Sequence, residues 1–146
     1  MSDSFPGQKL ARLYGWITVV AVVYGLLAAH LPALLGHPWD SCSVGGVPCV
    51  LSYHLYEVPI VLYQVVFAWY TLARLRAETV ATFRALLIGA LAFDAAFGLF
   101  EVTLLLETVR AGGPVWEQLA LASLVVTFQA GVILGAWILS KVRSAA

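Results

Sequence analysis

Four apolar runs divide the 146-residue chain: Leu13–Leu35, Val50–Leu72, Ala85–Thr108 and Val115–Leu139. Each is long enough to cross the hydrocarbon core of a bilayer, which takes roughly 20 residues of helix. Peptide groups inside lipid must find their hydrogen bonds within the chain, so runs of this kind fold as helices. Composition points the same way. Apolar residues make up 62% of the chain and charged residues 11%, against about 45–50% and about 25% in a soluble domain. Such a chain lacks the polar surface to cover a core in water. Its eight basic and eight acidic residues leave no net field to attract a polyanion. A soluble globule, a disordered tail and a nucleic-acid binder are excluded. The expected fold is all-α: a single domain over residues 1–146, folded as an integral membrane four-helix bundle.

Basic residues orient the bundle. Lys9 and Arg12 precede the first span, Arg74, Arg76 and Arg84 surround the second connection, and Lys141 and Arg143 follow the last span. Only Arg110 lies on the opposite side, a ratio of seven to one. By the positive-inside rule both termini are expected to be cytoplasmic, with the loops at 36–49 and 109–114 on the outer (periplasmic, extracellular or lumenal) side. Trp16, Trp39, Trp69, Trp116 and Trp137 fall near span ends, where amphipathic rings sit at the headgroup level. The first span is too long for the apolar region of a signal peptide and is followed by no clean small-x-small cleavage site.

Cys42 and Cys49, the two cysteines, share the outer loop. An oxidising compartment on that side favours a disulfide between them, and Gly45, Gly46 and Pro48 supply the turn. The pair serves either as a structural staple or as a redox couple.

Ionisable groups inside a span are costly, so each marks a candidate functional site. The second span carries His54, Glu57 and Gln64; the third carries Asp94 and Glu101; the fourth carries Gln129. Seven residues bring a helix back to nearly the same face. Antiparallel counting then sets Glu57 level with Glu101, and Gln64 level with Asp94 and Gln129. His30, near the outer end of the first span, reaches the shallower layer. Two carboxylates at one depth repel unless a proton or a cation joins them. Pro59 removes a helical hydrogen bond to the carbonyl of Leu55, next to Glu57, which favours a cavity there. The alternative for every one of these groups is mutual satisfaction that only fixes helix register. His54-x-x-Glu57 offers half of a metal site; with no second histidine–carboxylate pair, no metal or cofactor is assigned.

Ser123, Thr127, Gly131 and Gly135 recur at four-residue spacing. Such a stripe lets helix backbones approach closely, either within the bundle or in a homodimer or larger membrane complex through Gly131 and Gly135. Tyr53, Tyr56, Tyr63, Phe67, Phe93, Phe97 and Phe100 lie near the acids, and some of them could wall a pocket.

Short matches run through all four spans: Tyr24-x5-His30-Leu31-Pro32, Glu57-Val58-Pro59, Glu101 or Glu107, and Glu117-x-Leu119-x-Leu121-x-Ser123. In these the chain resembles the EXPERA families, which include the sigma-2 receptor and the emopamil-binding sterol isomerase. The outer loop is shorter here, and Asp40 alone could stand for the acidic residue those families carry after the first span. The resemblance implies a membrane-embedded pocket for sterol-like ligands and, in the isomerase branch, a carboxylate that protonates an olefin. The cysteine pair also resembles, more loosely, vitamin K epoxide reductase and related thiol oxidoreductases. Those need a further Cys-x-x-Cys, so an electron relay could not be completed within one subunit.

The expected function is therefore the binding of a hydrophobic small molecule (a sterol, isoprenoid or quinone) in an acid-lined pocket within the bilayer. As an enzyme it would be an isomerase or cyclase, with Glu57 or Glu101 donating the proton and His54 orienting or reprotonating the donor. His30, Tyr53, Gln64, Asp94, Phe97 and Gln129 would contact the ligand. One alternative is a non-catalytic accessory subunit of a membrane complex. Another is a thiol–quinone protein that uses a partner's cysteines.

Overall fold

The computed structural model describes residues 5–35 and 49–142, with the side chains of residues 32–33 and 49–56 outside that description. Within these limits the protein is helical, with no strand among the described residues. Helix α1 spans Gln8–Leu34, α2 Cys49–Ala73, α3 Val80–Arg110 and α4 Val115–Lys141. Consecutive helices pack side by side, and α1 closes the ring against α4. The α3–α4 and α1–α2 contacts are extensive, whereas the α2–α3 and α1–α4 contacts are both sparse. Helices α1, α3 and α4 are long and apolar enough to cross a membrane. Helix α2 is 25 residues long, and its apolar stretch among the described side chains, Glu57–Ala73, is shorter.

The helices overrun the apolar runs. Helix α1 begins at Gln8, immediately after Gly7, whose φ of 86° suits a residue without a side chain. Helix α3 begins at Val80, after a single 3-10 turn at Ala77–Thr79, so the charged connection expected at 73–84 is only six residues long. Phe83 and Val80 explain the difference. Both are fully buried, so the inward stripe of α3 continues past the charged residues, while Arg84 points outward. Apolar length measures the hydrocarbon; the helix itself ends where turn residues stop it. At the other end, Gly112 (φ 67°) and Pro114 end α3 and start α4. Proline there suits the start of a helix, because it has no amide hydrogen to leave unpaired.

One end of the bundle is sealed. Tyr14, Phe67 and Phe83 stack across α1, α2 and α3 with ring centroids 6.0 and 5.9 Å apart, and Phe5, Leu75, Val80, Leu87, Ile138 and Val142 pack around them. The cations of Arg74 and Lys141 lie 5.7 and 6.0 Å from the rings of Trp69 and Trp137 at this same end. Much of the outward surface is apolar, with Ile133 as much as 71% exposed. A contiguous apolar surface of this extent fits a lipid environment rather than water.

Small residues set how closely the helices approach. The hydroxyl end of Tyr63 occupies the space a side chain at Gly89 would need, and donates to the carbonyl of Leu86 at 3.1 Å. Gly135 is covered by Leu91 and by the Tyr14 hydroxyl, so this part of the α4 stripe is used inside the bundle. Gly131 is different: the one atom near its missing Cβ is Asp94 Oδ2, at 3.7 Å.

Candidate functional site

Above the aromatic seal the four helices part around a cavity of about 250 Å³. On each helix the lining residues repeat every three or four positions, singly or as adjacent pairs, the spacing of one helical face. Helix α1 contributes Tyr14, Thr18 and Gly25; α2 contributes Glu57, Ile60 and Gln64; α3 contributes Asp94 and Phe97; α4 contributes Thr127, Phe128 and Gly131. Most of the wall is apolar, and its polar groups fall at three depths.

At the floor, Tyr14 Oη donates to the carbonyl oxygen of Gly131 at 2.9 Å. That carbonyl already belongs to a helix and accepts this second bond from the side. Halfway up, Gln64 Nε2 donates to Asp94 Oδ1 at 2.6 Å, linking α2 to α3. Asp94 Oδ2 faces the open space beside Gly131. At the roof, His30 Nε2 lies 2.9 Å from Glu57 Oε1. The His30 side chain is 39% exposed and that of Glu57 10%, so the histidine stands between the carboxyl and the outside of the bundle. Phe97 sets its ring against Phe128 edge to face, with centroids 4.9 Å apart, and forms one apolar side of the space.

Among the residues expected from sequence, Glu57, Gln64, Asp94 and Phe97 face the cavity, and His30 contacts it through Glu57. Glu101 does not line it. Its side chain is fully buried, and neither carboxyl oxygen has a hydrogen-bond partner among the described residues. The two carboxyls that reach the cavity are thus Glu57 and Asp94, about two helical turns apart in depth. Gln129 does not line the cavity; although the residue is exposed, its amide nitrogen comes 2.9 Å from the position of a Cβ on Gly98, a buried glycine of α3. The side chains of Tyr53 and His54, and the Cys42–Cys49 pairing, lie outside the described residues. No three His, Cys, Asp or Glu side chains converge as a metal-binding set among the described residues.

Tyr14, Thr18, Phe128 and Gly131 are wall residues outside the ligand contacts expected from sequence. A signal was present, because Tyr14 and Thr18 are polar groups four apart in the first span and share one helical face.

No protein-family model matches this sequence, and comparisons with curated proteins and with solved structures also find no match.

Proposed function

We propose that this is a multi-pass membrane protein that binds a hydrophobic small molecule in its central cavity, with Glu57 and Asp94 meeting the ligand's polar or reactive end. The observation that carries this reading is the pairing of an apolar cavity with two carboxyl groups on its wall. Pockets for small molecules combine mainly apolar walls with a few placed polar groups. A carboxyl at membrane depth is costly enough to suggest use rather than ornament. In its catalytic form the protein is an isomerase or cyclase: Glu57 gives its proton to one carbon of an olefin, and a proton lost from a neighbouring carbon completes the exchange. In this reading His30, 2.9 Å from Glu57, would restore its proton. The excess of basic residues at the sealed end supports cytoplasmic termini, and a disulfide between Cys42 and Cys49 would close the outer loop.

The experiment is extraction of the purified protein with organic solvent and identification of released lipids by mass spectrometry. One species recovered in stoichiometric amount supports the reading; bulk lipid alone in wild-type protein overturns it.

Gln129 favours a second reading. Gln129 is exposed in the middle of an apolar helix, and its amide, whose nitrogen lies over Gly98 of α3, makes no hydrogen bond among the described residues. A partner helix that supplied an acceptor would relieve that cost. The protein would then be an accessory subunit, or pair with its own copy, and would leave mild detergent as a stable complex that Gln129→Leu disrupts.

A further inference from the structure

The short connection between α2 and α3 bounds a surface pocket lined by Trp69, Tyr70, Arg74, Arg76, Glu78 and Thr79. Packing beneath the pocket holds this turn in place. Leu75, between the two arginines, is buried in the aromatic seal, and its carbonyl oxygen accepts from Gln8 Nε2 at 3.3 Å. Thr79 ties the turn from the other side. Its Oγ1 accepts from the Arg76 amide at 2.8 Å and lies 3.1 Å from the carbonyl oxygens of Arg74 and Arg76. The turn therefore presents two exposed arginines from either side of an anchored residue. The Arg74 guanidinium lies over the Trp69 ring. Neither arginine forms an ion pair among the described residues, although Glu78 lines the same pocket.

Charge decides what the pocket can take. Two guanidinium groups against one carboxylate leave one positive charge unmatched. Guanidinium groups pair with phosphate oxygens through parallel hydrogen bonds. A phosphodiester carries a single negative charge and fits that balance, whereas a phosphomonoester carries about 1.5–2. Position decides what the phosphate is attached to. A tryptophan at a span end sits at headgroup level. From Trp69 an exposed apolar row continues along α2 through Val66, Val65, Leu62 and Val58, at three- and four-residue spacing. The row runs about 16 Å toward the bilayer centre, about half the thickness of the hydrocarbon core. An acyl chain can lie on it while its phosphate sits at the arginines.

We infer that this pocket is a binding site for an anionic phospholipid, separate from the central cavity and sharing with the proposed function only the membrane setting. The phosphodiester bridges Arg74 and Arg76, and one acyl chain lies along Trp69, Val66, Leu62 and Val58.

The test is native mass spectrometry of the full-length protein in detergent, titrated with dioleoyl-phosphatidylglycerol or dioleoyl-phosphatidylcholine. The glycerol lipid should bind saturably and more tightly than the choline lipid. Its binding should weaken about fivefold in Arg76→Gln and about 25-fold when Arg74→Gln is added, the scale of a basic group beside an anionic lipid head. Glu78→Gln should tighten it, a gain that misfolding cannot produce. Lys141→Gln removes a charge at the same end but on α4, across the ring from α2, and should stay within about twofold of wild type because exposed charges are screened over distance. Equal affinity for the two lipids overturns the inference. So do equal losses in Arg76→Gln and Lys141→Gln, which would report the field of the whole end, and so does unchanged or weaker binding in Glu78→Gln. Displacement of the glycerol lipid by millimolar inorganic phosphate would make this a site for a free anion and overturn the lipid assignment. A lipid extracted from wild type and lost in the double arginine variant belongs to this pocket; one that is retained belongs to the cavity.

Discussion

Gln64 and Asp94 meet at 2.6 Å across the α2–α3 contact, with the amide donating to Oδ1. This bond closes one polar pair at mid-depth and leaves the second carboxyl oxygen of Asp94 facing the cavity. One side chain thus serves both packing and the site.

That dual role can be separated by a double-mutant cycle. Asp94→Leu strands the Gln64 amide without its acceptor and should cost about 1–3 kcal/mol. Adding Gln64→Leu should recover about 1 kcal/mol of that loss, within the range for hydrogen bonds between membrane helices. Unfolding in detergent, followed by circular dichroism, measures all four proteins. Strict additivity would mean that the bond contributes nothing to helix association.

Glu101 should behave in the opposite way. Its carboxyl oxygens are buried with no hydrogen-bond partner among the described residues. Replacing it with methionine, similar in size and apolar, should raise stability by about 1–3 kcal/mol. A thermal shift assay reads the change. A lower midpoint for Glu101→Met would show that a bound water or ligand satisfies the carboxyl in the working protein.

The two glycines of α4 should differ sharply. At Gly135 a new Cβ would come 2.7 Å from Tyr14 Oη and closer still to Leu91, so Gly135→Ala should cost about 1–3 kcal/mol through overpacking. At Gly131 the nearest atom is 3.7 Å away, so Gly131→Ala should be tolerated. Equal midpoints for the two variants would contradict this placement of α4.

Glu57→Gln should fold like wild type, within about 0.5 kcal/mol, because the amide keeps the size of the acid and can still bond to His30. If the acid donates a proton, the same variant should lose turnover while keeping the ligand. Lipid content and product formation are measured together for Glu57→Gln, Asp94→Asn and the pair. Full retention of both in the double variant would reduce the cavity acids to structural roles, and the accessory-subunit reading would take over.

Much of this architecture was legible in the sequence, because burial of peptide groups in lipid leaves few choices. Twenty or more apolar residues between turn-forming residues become a helix, and seven-residue spacing keeps Gln64 below Glu57 and Asp94 below Glu101 on their own helices. Antiparallel counting matched Gln64 to Asp94 in depth, and the two do bond. Depth alone does not say which way a face turns. Glu101 shares a helix and a seven-residue register with Asp94 yet stays off the cavity, and Gln129 turns its amide to Gly98 of α3 instead of into the cavity. Helix rotation is decided by packing: Gly135 admits Tyr14 and Leu91, Gly89 admits Tyr63, and those contacts turn Asp94 and Gly131 inward. The sequence by itself determined the helices, their order and the depth of each polar group, through local spacing and the cost of exposing polar groups to lipid. Only the tertiary structure decided which polar groups share a cavity, since helix rotation arises from side chains meeting across different helices.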